Sequence, residues 1–121
     1  MRTKYNAKKT VVDGIKFDSK KEAARYSQLK AMEQAGEISG LTRQKRYELT
    51  PGYKEADYRD IKGKCHKGRV IERPSYYVAD FVYEDSKGQT IVEDCKGYRT
   101  DVYKLKRKMM LYRYGIRILE T

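Results

Sequence analysis

Tyr76-Tyr77-Val78-Ala79-Asp80-Phe81, and after a short hairpin Ile91-Val92-Glu93-Asp94-Cys95-Lys96-Gly97, decide how this chain is read. Each is a run of strand-forming residues that carries acid where packing alone would place an apolar side chain. An unpaired buried charge is disfavoured by several kcal/mol, so two such carboxylates in one hairpin point to a cation. Strand side chains alternate between faces, which puts Asp94 and Lys96 on one side with Thr90 and Val92, and Glu93 and Cys95 on the other. With Asp80 across from them, the hairpin would present Asp-Asp-Lys on one surface, suited to a hard divalent cation with a lysine beside it. The competing reading is an ordinary same-face ion pair between Asp94 and Lys96 on an exposed strand.

Outward from the hairpin, Asp13-Gly14 is a turn signal and Ile15-Lys16-Phe17 alternates like a short strand. Asp18-Ser19 opens a helix expected to run to about Ala35, stopped by Gly36, with Ala24, Leu29, Met32 and Ala35 as its buried stripe. A strand is expected from Thr42 to Leu49, closed by Pro51-Gly52. Residues 53–74 are polar, charged and glycine-punctuated, and read as a long basic loop or ribbon. The hairpin Tyr76–Tyr83 and Gln89–Lys96 turns at Asp85-Ser86-Lys87-Gly88. A second helix spans Asp101 to Tyr114, with Thr100 as N-cap and Gly115 as stop, burying Val102, Leu105, Met109 and Tyr112. Ile116 to Leu119 is the last expected strand. The order helix, three strands, helix, strand predicts an α/β chain of the α+β kind, a mixed sheet with helices packed on it.

The 121 residues, 39% of them hydrophobic, fit a single domain with a basic N-terminal arm over about residues 1–12. Net charge is +11, from 28 Lys and Arg against 17 Asp and Glu, which favours a polyanionic partner, nucleic acid first, over a merely soluble basic protein. Tyrosines beside basic residues, as in Tyr53-Lys54, Tyr58-Arg59 and Tyr112-Arg113-Tyr114, suit stacking on bases, although tyrosine is also an ordinary strand residue. No apolar run approaches the roughly 20 residues of a membrane span, and Met1-Arg2-Thr3-Lys4-Tyr5 lacks the apolar core of a secretion signal. The expected compartment is the cytoplasm, with no membrane partner. Cys65 with the lone His66 is too little for a zinc site, and Cys65 and Cys95 are not expected to form a disulfide in a reducing compartment.

The residues Gly14-Ile15-Lys16-Phe17-Asp18-Ser19-Lys20-Lys21-Glu22, Tyr77-Val78-Ala79-Asp80-Phe81 and Glu93-Asp94-Cys95-Lys96-Gly97 together resemble the PD-(D/E)XK nuclease superfamily. Within it they are similar to a small phage and prophage family, endonuclease-like and related to Holliday-junction resolvases. The resemblance spans most of the chain except residues 54–74, and departs from the superfamily in having Ala79 where proline is common. It implies a restriction-endonuclase-like αβββαβ core, with Asp80, Asp94 and the Cys95 carbonyl as ligands of Mg²⁺ or Mn²⁺. It further implies that Lys96 orients or deprotonates the attacking water, and that hydrolysis leaves a 5′-phosphate and a 3′-hydroxyl.

Glu22 has two readings. Ser19-x-x-Glu22 is a capping box, and the resemblance places a first-helix acid at the metal. Gln44 either orients water or phosphate near the hairpin acids or is a surface glutamine. Glu93 is expected to pair with a nearby Lys or Arg, and Cys95 to pack as a small hydrophobe. For DNA, Arg99, Tyr103, Lys104, Arg107 and Lys108 form one candidate surface; Arg59, Lys62, Lys64, Lys67 and Arg69 form a clamp that closes on binding.

The resemblance, with the basic charge, implies a metal-dependent endodeoxyribonuclease acting on branched or double-stranded DNA, expected in the host cytoplasm. A homodimer is needed to cut two strands symmetrically. The alternatives are a nuclease for flaps, forks or duplex DNA, and a non-cleaving DNA-binding recombination accessory.

Overall fold

The structure, a computed structural model, describes residues 10–95 and 99–121. Strands β1 (Thr10–Val12) and β2 (Ile15–Phe17) form an antiparallel hairpin. Its turn residues Asp13 and Gly14 both have positive φ, 52° and 76°, a conformation that glycine and aspartate tolerate at hairpin turns. Helix α1 (Lys20–Gln34) starts where the Ser19 hydroxyl accepts the Glu22 N–H at 3.1 Å. The elements that follow are β3 (Ser39–Thr50), β4 (Tyr53–Lys54), β5 (Tyr58–Arg59), β6 (Cys65–His66), β7 (Val70–Glu72), β8 (Ser75–Glu84), β9 (Thr90–Asp94), α2 (Asp101–Tyr114) and β10 (Leu119–Glu120).

The main sheet has the order β10-β9-β8-β3, antiparallel except for the parallel pair β10 and β9. One helix covers each face. Toward α1 lie Phe17, Ala23, Tyr26, Leu29, Phe81 and Tyr83. Toward α2 lie Tyr47, Leu49, Tyr77, Val92, Tyr103 and Met110. The chain is therefore α+β, and its main sheet and helices follow the expected order of helix, three strands, helix, strand. Among the described residues no helix is long and apolar enough to cross a membrane.

Both helices are rotated from the faces that their apolar residues suggest. On α1, Ala24 and Ala35 are exposed; Glu22, Ala23, Tyr26 and Leu29 are buried, with Met32 packed beside them. The larger ring of Tyr26 packs against Phe17 and Phe81, and Ala24 and Ala35 take the outside. On α2, Val102, Leu105 and Tyr112 are 64%, 59% and 95% exposed, while Tyr103 and Met110 are buried and Met109 partly so. Tyr103 turns inward because its ring meets Tyr77 and its hydroxyl has a partner, donating to Glu120 at 2.8 Å. An amphipathic tyrosine with a partly buried acceptor outweighs valine and leucine here. At the far end of α2, Arg113 and Tyr114 donate to the carbonyls of Leu49 and Glu48, tying the helix to β3. The last strand is shorter and later than expected, Leu119–Glu120 in place of Ile116 to Leu119, and Ile118 is core.

Residues 53–74 are a folded ribbon. β4 pairs with β7 and β5 with β6, so the segment is a two-stranded arm extending from the β3–β8 pair and exposed on both faces over most of its length. Its strands pair with one another, so it is a ribbon rather than an irregular loop.

Candidate active site

Period-two alternation holds along β9. Val92 joins the α2 cluster, Ile91 and Cys95 the α1 cluster, and the two acids between them follow suit. Glu93, 0% exposed, takes a bidentate pair of bonds from Arg25 of α1 at 2.8 and 2.7 Å and a further bond from the Tyr83 hydroxyl. Asp94, 1% exposed, points to the other side and accepts the Tyr77 hydroxyl at 2.8 Å. The expected pairing of Glu93 with a basic residue is thus made by Arg25.

Alternation fails on the neighbouring strands. On β8, Tyr77 and Ala79 lie with the α2 cluster, yet Phe81 and Tyr83, of the same parity, lie with the α1 cluster. On β3, Tyr47 and Leu49 face α2 while Leu41 packs toward α1. Both strands change face between the paired residues Arg43↔Phe81 and Lys45↔Ala79, where Gln44 and Asp80 lie. Gln44 has a φ of 54°, a left-handed conformation uncommon for a non-glycine residue and found disproportionately at functional sites.

That break aims the side chains. Gln44 Nε2 donates to Glu22 Oε1 at 3.3 Å and reaches Asp80 Oδ1 at 3.5 Å, the outer limit of a hydrogen bond. Asp80 Oδ2 accepts the Cys95 N–H at 2.7 Å, and the register Phe81↔Glu93 brings Asp80 beside Asp94 at the next step. Burial first, then the Asp94 hydrogen bond and the charges of Asp94 and Asp80, hold the Tyr77 phenol above its ordinary pKa, so it stays a donor. Glu22, Gln44 and Asp80 therefore converge from three elements, with Asp94 opposite Asp80 on the neighbouring strand. Glu22 makes only half of the capping box seen from the sequence: its N–H meets Ser19, and its carboxylate turns to Gln44.

Lys96, the lysine of the sequence motif, lies outside the described residues. Among the described residues no three His, Cys, Asp or Glu side chains are grouped so as to hold a metal ion. The carboxylate and amide oxygens present are nonetheless hard donors suited to Mg²⁺ or Mn²⁺. Cys95 is buried and its thiol is pushed up by burial, with the Thr121 hydroxyl opposing and nearby carboxylates adding, so it is not an activated nucleophile.

Two contributors escaped the sequence reading. Tyr77, 17 residues before Asp94, orients that carboxylate. Arg43 lies with its guanidinium 4.4 Å above the Phe17 ring and 4.0 Å from Glu22, its buried Nε without a hydrogen-bond partner among the described residues. Alternation predicts neither, because one needs the strand register and the other the face change at Gln44.

The expected DNA surface on α2 divides. Lys104 and Lys108 are exposed, whereas Arg99 and Arg107 converge on Glu120 at 2.6 and 3.1 Å and Tyr103 is buried against it. Tyr103 is thus a core residue, corrected from the surface role. Although burial opposes it, the bonds from Tyr103, Arg99 and Arg107 hold Glu120 below its ordinary pKa of 4.5. A depressed carboxylate stabilises the fold above the unfolded pKa, and that contribution is lost as pH falls through the folded one. The melting temperature of the wild type should therefore exceed that of Glu120→Gln at neutral pH, and the gap should close below about pH 4. A pH series of thermal melts on both proteins checks this.

On the arm, Arg59 donates to the Gly63 carbonyl, Lys67 pairs with Asp57 and Arg69 with Glu55, while Lys62 and Lys64 flank the tip. His66 is a brace, held by Asp60 at 2.8 Å and stacked on Tyr58.

An α+β domain carrying an acidic site on a broken sheet is the class that this geometry defines. The chain belongs to the family described as protein of unknown function DUF1064, whose model matches residues 2–119. No curated protein and no solved structure matches it.

Proposed function

We propose that the protein is a divalent-metal-dependent endodeoxyribonuclease of the PD-(D/E)XK type, cutting branched DNA in phage or prophage recombination, repair or replication. The observation that carries this reading is the convergence of Glu22, Gln44 and Asp80 on the sheet break beside Asp94, in a chain of net charge +11. A pure binder of phosphate gains nothing from acids gathered at one point of a basic protein.

Asp80 and Asp94 would hold Mg²⁺ or Mn²⁺, with the Cys95 carbonyl and Glu22 as further oxygen donors. Mg²⁺ is commonly bound by one or two carboxylates, its shell completed by waters and substrate phosphate, which is the number that Asp80 and Asp94 offer. When bound, the cation supplies charge neutralisation at the phosphate and a more acidic water. The chain's own residues do the positioning. The Cys95 N–H fixes one oxygen of Asp80, the Tyr77 hydroxyl fixes Asp94, and the Gln44 amide bridges Glu22 and Asp80 by donating to both. Lys96 is assigned the attacking water. Exposed Lys104 and Lys108 would contact DNA backbone. One site cuts one strand, so paired cuts across a junction call for a homodimer.

Tyr77→Phe should keep the ring packing against Tyr103 but lower metal affinity or activity about 10- to 100-fold, as loss of a group orienting a metal ligand does. Mg²⁺ titration of cleavage, beside a thermal melt, measures this. The function itself is tested by Mg²⁺- or Mn²⁺-dependent cleavage of a labelled four-way junction, a flap, a fork and a matched duplex. Selective cutting of the junction is expected; equal cutting of duplex would make the protein a general structure-tolerant nuclease. A second reading, a non-cleaving recombination accessory, draws on the lack of a three-ligand group among the described residues. DNA binding without cutting in either metal would establish it instead.

A further inference from the structure

The tip of the arm is built more firmly than a surface turn requires. Asp60 Oδ1 accepts the N–H groups of Lys62 and Lys64 at 2.9 Å each, and its Oδ2 meets His66 Nε2 at 2.8 Å. His66 stacks on Tyr58 with ring centroids 5.0 Å apart and 16° between planes. Asp60 and Lys64 bond through their backbones, Gly63 takes a φ of 81°, and Arg59 reaches the Gly63 carbonyl. Lower in the arm, Gly68 donates to Asp57 where the strands approach so closely that a Cβ would lie 1.8 Å from the Glu55 carbonyl oxygen. All of this holds one side chain outward. Ile61 is fully exposed and sits between Asp60 and Lys62 at the turn.

The charge around it is arranged to match. Three acids of the arm are engaged within it, Asp57 by Lys54 and Lys67, Glu55 by Arg69, and Asp60 by the tip. Lys62 and Lys64 make no ion pair among the described residues. An apolar side chain on a braced turn, with uncommitted ammonium groups beside it, has the form of a wedge between bases. Proteins that kink DNA insert isoleucine, leucine or phenylalanine at a base step while basic residues hold the phosphates. A pre-formed turn loses little conformational freedom on insertion. Unstacking is least costly where stacking is already interrupted, as at a branch point.

We propose that Ile61 is an apolar wedge that enters the stack of branched DNA at or near the branch point, with Lys62 and Lys64 on the flanking phosphates. This rests on the reading of DNA as the substrate and adds to it how a branch is told from continuous duplex. Along the strands, the tip lies at most about 60 Å from Asp80, under two turns of duplex, so one molecule can touch both the branch and a nearby scissile phosphate.

The test uses the full chain, without added metal, on four-way junctions carrying 2-aminopurine at successive positions through the branch, with binding followed separately by fluorescence anisotropy. The wild type should bind and raise 2-aminopurine fluorescence at one or two positions. At saturating protein, Ile61→Ser should lose that rise and Ile61→Leu should keep it. Lys62→Ala and Lys64→Ala should each weaken binding and lower the salt slope by about 1. Wild-type binding with no fluorescence rise, or a rise unchanged in Ile61→Ser, overturns the wedge while leaving DNA as the substrate. No binding by the wild type overturns both.

Discussion

Asp80→Asn is expected to lower metal-dependent cleavage by at least about 1,000-fold while leaving the fold intact. Asp80 is half-buried, with one oxygen on the Cys95 N–H at 2.7 Å and the other facing the Gln44 amide. Asparagine has the same shape, so its oxygen can keep the Cys95 bond. Its NH₂ must then face the Gln44 NH₂, donor against donor, and the negative charge that would bind the cation is gone. Loss of activity with a melting temperature within a few degrees of wild type would separate a site role from a structural one. A variant that cuts within ten-fold of wild type would remove Asp80 from the site and the proposed chemistry with it.

Arg25→Met is expected to destabilise the protein by about 3–5 kcal/mol, the cost of leaving one member of a buried ion pair uncompensated. Glu93 is 0% exposed and receives two bonds from Arg25 across 68 residues of chain. The Glu93 hydrogen bond, against the opposing effect of burial, raises the already high guanidinium pKa, so Arg25 keeps its charge throughout the working range. With the arginine gone, the Tyr83 hydroxyl alone cannot balance the carboxylate. Melting should fall by more than about 10 °C. The double variant Arg25→Met, Glu93→Met should recover most of the loss, since replacing a whole buried pair with apolar residues is often neutral. Thermal and denaturant unfolding of the three proteins measure this. A single-variant loss below about 1 kcal/mol would mean that the Glu93 carboxylate finds other hydrogen-bond donors once Arg25 is gone.

Much of the site was legible before any coordinates. The hairpin, the Ser19 and Thr100 caps, the Gly115 stop and the opposite faces of Glu93 and Asp94 follow from covalent geometry and local hydrogen bonding. Such features depend on residues within a few positions of one another, so a linear sequence contains them. Sequence alone keeps Gln44 and Glu22 between a surface or capping role and a site role, because their direction depends on a φ of 54° and a change of face that no pattern of apolar residues records.

Local chemistry along the chain thus carries the order of the main elements, the acids on the hairpin and the basic charge. Long-range packing sets which face α2 buries, since Tyr103 gains its partners Tyr77 and Glu120 from distant strands and outcompetes Val102 and Leu105. It also decides that Arg25 belongs to Glu93, and that residues 53–74 pair into an arm with Ile61 at its tip. Each of these is a contact between residues far apart in the chain, whose energy exists only once the sheet has brought them together.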